Sequence, residues 1–217
     1  MLSAHSKVLS QLDIILASSS PRRKELCSLI QLPVKIIHSE FEEDLDPSNY
    51  PSVSDFVIDT AYHKGSAVRS RLDKSHQHWD LIVSADTVVA FDNKVIGKPK
   101  DKEDAINILT SLSGHTHSVC SGVSIFYPGA FAGVSNDVIG NCIKFSETTQ
   151  VTFSHLTEEC IAAYVDTGEP LDKAGGYGCQ GMGSTLVSGV IGDYFNVVGL
   201  PVNKLCIELC KLLKILK

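Results

Sequence analysis

No stretch of the 217 residues approaches the roughly 18 uncharged apolar residues that a membrane-spanning helix needs, so no span is expected. No secretory leader is expected either. His5, Lys7, Gln11 and Asp13 interrupt the N-terminal segment, and the next apolar run, Ile14 to Ala17, is only four residues long. Basic charge is in deficit: 19 Lys and Arg stand against 25 Asp and Glu, a net charge of −6. That balance argues against a broad nucleic-acid groove, while a small cluster of cations could still hold a phosphorylated small molecule. Spacing for a thiolate metal site is also absent. The seven cysteines, Cys27, Cys120, Cys142, Cys160, Cys179, Cys206 and Cys210, are odd in number and include no C-x-x-C pair. They read as reduced thiols of a soluble, cytoplasmic protein and not as a disulfide framework. There is no repeat, low-complexity tract or linker that would divide the chain.

What is present is ordinary globular composition, 43% hydrophobic and 20% charged, in a length that suits one domain. Residues 1–13 read as an N-terminal extension and 14–217 as a single domain. Apolar runs predict strands at Ile14 to Ala17, Val34 to His38, Leu81 to Ala85, Val88 to Phe91, Val119 to Tyr127, Cys142 to Phe153 and Gly192 to Val198. Helices are expected from Pro21 to about Ile30, Val53 to Leu72, Asp101 to Leu112, Thr157 to Asp166 and Val202 to Leu213, the first with Ser20 as its cap and Pro21 as its first residue. This alternation indicates an α/β fold. Two long successive strands joined through Pro128 to Gly140 predict an antiparallel hairpin and hence a mixed sheet.

Four segments carry chemistry. Ser18-Ser19-Ser20-Pro21-Arg22-Arg23-Lys24 places three cations at a helix start, where the helix dipole disfavours them unless an anion binds nearby. Free N–H groups, hydroxyls and guanidiniums together suit a polyphosphate. Lys64 lies on the stripe Val57, Ala61, Lys64, Val68 and Leu72, so it points to the core or a cleft, or snorkels to water. A Met at that position is expected to be tolerated, since no buried charge would then need a partner.

The third segment is acidic: Glu40, Glu42, Glu43, Asp44 and Asp46 follow one strand, and Asp86 follows the apolar run Leu81 to Ala85. A carboxylate at a strand's carboxyl end facing a phosphate cradle could hold Mg²⁺. The acidic run alone does not single out its working member. The fourth segment, Asp172 to Gly181, contains a formal G-x-G-x-x-G at Gly176, Gly178 and Gly181, but lacks the preceding strand and following helix of a dinucleotide fingerprint. It offers instead a backbone that can approach a ligand, with Tyr177 and Gln180 able to touch a base. The pairs His76/His78 and His115/His117 are not read as metal ligands: the first lies in a polar stretch with Lys74, Ser75 and Gln77, and the second has no acidic or Cys partner nearby.

Taken in order, Ser18-x-Ser20-Pro21-Arg22-Arg23, Glu42-Glu43, Lys64, Ser84-Ala85-Asp86-Thr87, Gly97-Lys98-Pro99, Leu112-Ser113-Gly114-His115-x-His117 and Asp172 to Gly181 resemble the Maf family of nucleotide pyrophosphatases, from Ile14 to about Leu213. The resemblance implies a mixed, strongly twisted sheet flanked by helices, two lobes around a cleft, kinship with inosine triphosphate pyrophosphatase folds, and a homodimer. It further implies hydrolysis of a nucleoside triphosphate to monophosphate and pyrophosphate with Mg²⁺ or Mn²⁺. Carried over by position, Arg22, Arg23, Lys64 and Lys98 meet phosphate and Ser20 supports them. Glu43 and Asp86 serve the metal and the attacking water, with Asp86 the favoured base, and Thr87 and Gln180 read the nucleobase. Ala85-Asp86-Thr87 and the Lys173-to-Gln180 run look like the branch acting on dTTP and UTP, to which the Maf-like domain of acetylserotonin O-methyltransferase-like proteins is similar. The branch acting on 7-methylguanosine triphosphate usually has Gln after the aspartate. A non-catalytic role in cell division is the other alternative, and it would not require Asp86 or Lys64.

Overall fold

The computed structural model describes residues 2–92, 94–128 and 141–215, with side chains to Leu213. A 3-10 turn at Leu2–His5 and the short helix α1 (Ser6–Leu9) lead into β1 (Ile14–Ala17), α2 (Pro21–Leu29) and β2 (Val34–Ile36). The long helix α3 (Val53–Lys74) follows, then β3 (Leu81–Phe91), β4 (Lys94–Ile96), α4 (Lys102–Leu112), β5 (Thr116–Phe126), β6 (Cys142–Phe153) and α5 (Glu158–Asp166). Three 3-10 turns between Glu169 and Leu186 precede β7 (Val187–Ile191), α6 (Tyr194–Val198) and α7 (Val202–Ile215). The expected β5–β6 hairpin is antiparallel over its full register, from Thr116 opposite Thr152 to Phe126 opposite Cys142. The segment Pro128 to Asn141 that joins it, to which the sequence assigns no role, lies apart from its two ends outside the described residues.

One mixed seven-stranded sheet runs β2-β1-β3-β5-β6-β7, with β4 also paired to β3. Among the described strands the parallel pairings are those of β1 with β2 and with β3, and the rest are antiparallel. Both faces of β1 are covered, which explains its uninterrupted apolar run. Ile14 and Leu16 pack with Leu26, Leu205 and Leu209 of α2 and α7, whereas Ile15 and Ala17 pack with Val68 and Leu72 of α3. A separate core under α4 and α5 gathers Leu109, Leu112, Val151, Phe153, Ile161 and Tyr177.

Two readings of the sequence need correction. The predicted strands 81–85 and 88–91 are one continuous strand, because Asp86 and Thr87 keep the ladder with Gly122 and Ser121 of β5. Asp86 is therefore mid-strand and not at a strand end. The run Gly192 to Val198 is not a strand. Asp193 caps α6 through the Phe195 N–H (2.8 Å), and the strand lies just before, at Val187–Ile191. The N-terminal extension packs on the domain, with Leu2 and Leu9 buried in the core beside α7.

Two features of β3 make a cleft. Along one edge, Leu81 to Ser84 lean on β1 and Val89 to Phe91 lean on β4, so the described ladders leave 85–88 unpaired on that side. Helix α3 also lies unusually close to the sheet. A Cβ on Gly122 would sit 2.2 Å from the Val57 carbonyl oxygen, and one on Gly65 would sit 2.3 Å from the Phe126 ring. Gly122 is the register partner of Asp86. The tight approach therefore brings α3 down over the middle of β3.

Candidate active site

Strand alternation sorts the site residues. Ser84 and Asp86 face α3: the Ser84 hydroxyl donates to the Ala61 carbonyl (2.7 Å), and the Lys64 ammonium donates to Asp86 Oδ1 (2.7 Å). Thr87 faces the other way, where its Oγ1 meets Arg23 Nη2 (3.1 Å), Ser121 Oγ (2.8 Å) and the Gly199 carbonyl (3.3 Å). Lys64 also reaches Glu43 Oε2 at 2.8 Å, so one ammonium joins two carboxylates from different segments. Lys64 and Asp86 are buried, while the Glu43 side chain is 57% exposed. The acidic run thereby resolves: Glu43 enters the cleft, Glu40 pairs with Arg71 (2.6 Å), and Asp46 caps a 3-10 turn at the Ser48 N–H (2.9 Å).

The two arginines differ. Arg23 is an internal strut whose Nε donates to the Gly199 carbonyl (2.8 Å) and whose Nη1 donates to Ser18 Oγ (3.3 Å). Burial pushes its guanidinium below the usual value, opposed by Asp86 and Glu43, yet an arginine remains charged. Arg22 is held only loosely, 3.8 Å from Asp172, with its side chain 25% exposed to the cleft. Ser20 occupies the N-cap position of α2, but its side chain makes no capping bond. Its N–H donates instead to Ser18 Oγ (3.1 Å). The helix start thus keeps its first N–H groups uncapped by any side chain, as an anion-binding turn requires.

A cleft of about 710 Å³ collects Ser20, Arg22, Arg23, Glu43, Lys64, Asp86, Thr87 and Lys98. The sequence reading named these residues but did not give roles to Ser19, Thr60, Asp172 or Lys173, which line the same cleft. Lys173 is half-buried and tied to the Glu169 carbonyl and Asp172 Oδ1, both at 2.6 Å. Gln180 is exposed and outside the lining, on the turn after that wall. Tyr177 lines the cleft but cannot offer its hydroxyl to a base, since the ring is buried against Phe153 and the oxygen is 2.7 Å from His117 Nε2. Burial lowers the His117 pKa to about 4, so the imidazole is neutral and structural. Of the other pair, His78 joins Asp13 and Asp80, where Lys35 is bonded to Asp13 and the Asp13 N–H to Asp80 Oδ2 (2.7 Å), an ion network outside the cleft lining.

The buried Lys64–Asp86 contact corrects one further expectation. Replacing Lys64 by Met would leave the Asp86 carboxylate buried without its ammonium, so the exchange is not neutral.

Comparison with known proteins bears on this geometry. The model of the family described as "Maf-like protein" matches residues 13–212. A dTTP/UTP pyrophosphatase of Bacillus anthracis is 46% identical over 196 residues, covering 90% of this chain and 93% of that protein. One from Bacillus cereus (strain AH187) is 45% identical with the same coverage. A human protein named "Probable bifunctional dTTP/UTP pyrophosphatase/methyltransferase protein" is 40% identical over 200 residues, which is 92% of this chain but only 32% of the human one. With a family match over residues 13–212 joined to a cleft that gathers the motif residues, the chain belongs to the Maf-like family.

Proposed function

We propose that this protein hydrolyses dTTP and UTP to the monophosphate and pyrophosphate. The observation that carries the reading is the Glu43–Lys64–Asp86 junction in a cleft rimmed by Arg22, Lys98 and the uncapped start of α2. The names of the Bacillus relatives support the substrate class. A cleft of about 710 Å³ is also within the usual size for a small-molecule site.

The donor set fits a divalent cation. Two carboxylate oxygens converge on one point already filled by a positive charge, the Lys64 ammonium, and Mg²⁺ or Mn²⁺ typically takes one or two carboxylates with water and phosphate oxygens. Glu43 and Asp86 would hold that ion, which supplies charge neutralisation at the phosphates and polarisation of water. Arg22, Lys98 and the α2 N–H groups bind the polyphosphate, and Arg23 keeps their loop rigid. Lys64 moves its ammonium between carboxylate and phosphate as substrate enters. Asp86, fixed in mid-strand, takes the proton of the water that attacks the α-phosphorus. Thr87 and Gln180 select the pyrimidine, which requires the turn bearing Gln180 to lean over the bound nucleotide. A cytoplasmic homodimer is part of the same proposal.

Product analysis tests it. Incubation with dTTP and Mg²⁺ should yield dTMP and pyrophosphate in equal amounts, while dTDP with orthophosphate would overturn the reading.

A further inference from the structure

We infer that Glu169, working with Tyr164, is a positioning residue for base selection, holding the turn that carries Gln180. The inference rests on the base-reading role proposed above. The turn from Gly178 to Gly183 has no regular secondary structure of its own up to Met182, so its shape comes from what it wraps around. It wraps around one carboxylate and one phenol. Glu169 Oε2 accepts from the Met182 N–H (2.9 Å), and Oε1 accepts from the Gly183 N–H (3.2 Å) and the Tyr164 hydroxyl (3.0 Å). The same Tyr164 oxygen accepts from the Gly178 N–H (3.3 Å). Both flanks of Gln180 are therefore fastened to a single hydrogen-bonded pair projecting from α5 and the turn after it. A third tie, from the Tyr194 hydroxyl to the Cys179 carbonyl (3.2 Å), fixes the outer side.

Two glycines record how close this wrapping is. A Cβ at Gly181 would lie 2.5 Å from Glu169 Oε2, and one at Gly183 would lie 2.5 Å from the Tyr164 oxygen. The glycines admit the carboxylate and phenol; they do not simply loosen the loop. Although burial pulls the Glu169 carboxyl upward, the N–H groups of Gly183 and Met182 and the Tyr164 hydroxyl hold it below its ordinary value. The Glu169 carbonyl also takes the Lys173 ammonium at 2.6 Å, so the cleft wall and the turn share one anchor. No contact links Glu169 to the Glu43–Lys64–Asp86 junction among the described residues. Loss of the anchor should hence disturb which base is held more than how fast its phosphate reacts.

Steady-state kinetics with dTTP, UTP, ATP and GTP on the parent, Glu169→Ala, Glu169→Gln and Tyr164→Phe test this. In Glu169→Ala, KM for dTTP and UTP should rise about 10-fold or more with kcat within about 3-fold, because uniform binding is lost and the reacting centre is kept. Values for ATP and GTP should stay near the parent's. Glu169→Gln, which keeps one carbonyl acceptor, should fall between, and Tyr164→Phe should shift the pyrimidine KM in the same direction. Amide exchange at Gly178, Met182 and Gly183 should quicken in both Glu169 variants. A pyrimidine preference that survives unchanged in Glu169→Ala, or kcat falling equally for all four nucleotides, overturns the inference alone. A parent with no pyrimidine preference overturns the base-reading role and this inference with it. Should Glu169→Ala fail to fold, Tyr164→Phe and Glu169→Gln decide by the same criteria.

Discussion

Replacing Lys64 with Met exposes the electrostatics of the cleft. The Lys64 side chain is 11% exposed and that of Asp86 is 9% exposed, so their 2.7 Å bond is a buried ion pair. Removing one member of such a pair typically costs about 3–5 kcal/mol, because the other charge stays buried. The second bridge, to the 57% exposed Glu43, adds little, at most about 1 kcal/mol once solvent screening is counted. Arg23 offsets part of the loss through its attraction to Asp86, and Met fits the apolar stripe between Ala61 and Val68. A net destabilisation of about 2–4 kcal/mol is expected, which for a chain of this size lowers Tm by about 5–15 °C. Urea and thermal unfolding followed by circular dichroism, with EDTA present to exclude divalent ions, measure it. The discriminating protein is the double variant Lys64→Met/Asp86→Asn. Removing the stranded charge should restore about 2 kcal/mol, a coupling of the size found for residues in contact. If Lys64→Met alone is as stable as the parent or more so, the carboxylate does not depend on the ammonium and the reasoning fails.

Three shorter expectations accompany it. Asp86→Asn should lower kcat by about 10² or more with the fold intact, the usual worth of a general base, and near-parent turnover would move that role to Glu43. For Gln180→Ala, kcat/KM for dTTP or UTP over ATP or GTP should shrink from at least about 10² in the parent, mainly through the pyrimidines, whereas an unchanged ratio removes Gln180 from recognition. His117 has a folded pKa near 4 against 6.5 unfolded, so its contribution is fully present above pH 6.5 and is lost as pH falls toward 4. The unfolded chain binds the proton first, a loss of up to about 3 kcal/mol. His117→Gln, which can still bond Tyr177, should flatten denaturant stability between pH 6.5 and 5, above the range where carboxylates titrate. An unaltered slope would place the proton elsewhere.

The stripe on α3 was readable because helical spacing is strict, and all five positions from Val57 to Leu72 are buried as that spacing requires. The start of α5 at Thr157 was readable from residue type, Thr being favoured at an N-cap, and its Oγ1 accepts from the Cys160 N–H (3.2 Å). What hid Asp86 inside a strand was its polarity. An apolar run ends where a carboxylate begins, but the backbone ladder continues when the charge finds an ammonium on its own face. The adjacent motif residues Arg22 and Arg23 look alike in sequence, and only the distant Thr87 and Gly199 turn the second into a strut. The choice of Glu43 from five acids likewise depended on a partner 21 residues away, which spacing within the loop does not encode.

The interrupted edge of β3 has a mechanical meaning. One continuous strand is shared by β1, which leads to Arg22, and by β4, which leads to Lys98, and its residues 85–88 have no neighbour on that edge among the described ladders. The two cations therefore hang from one strand, whose residues 85–88 are held from the opposite edge alone, by β5. A polyphosphate stretched from Arg22 to Lys98 would bridge the open edge of the strand that carries Asp86, joining from outside the two neighbours that the ladder leaves apart.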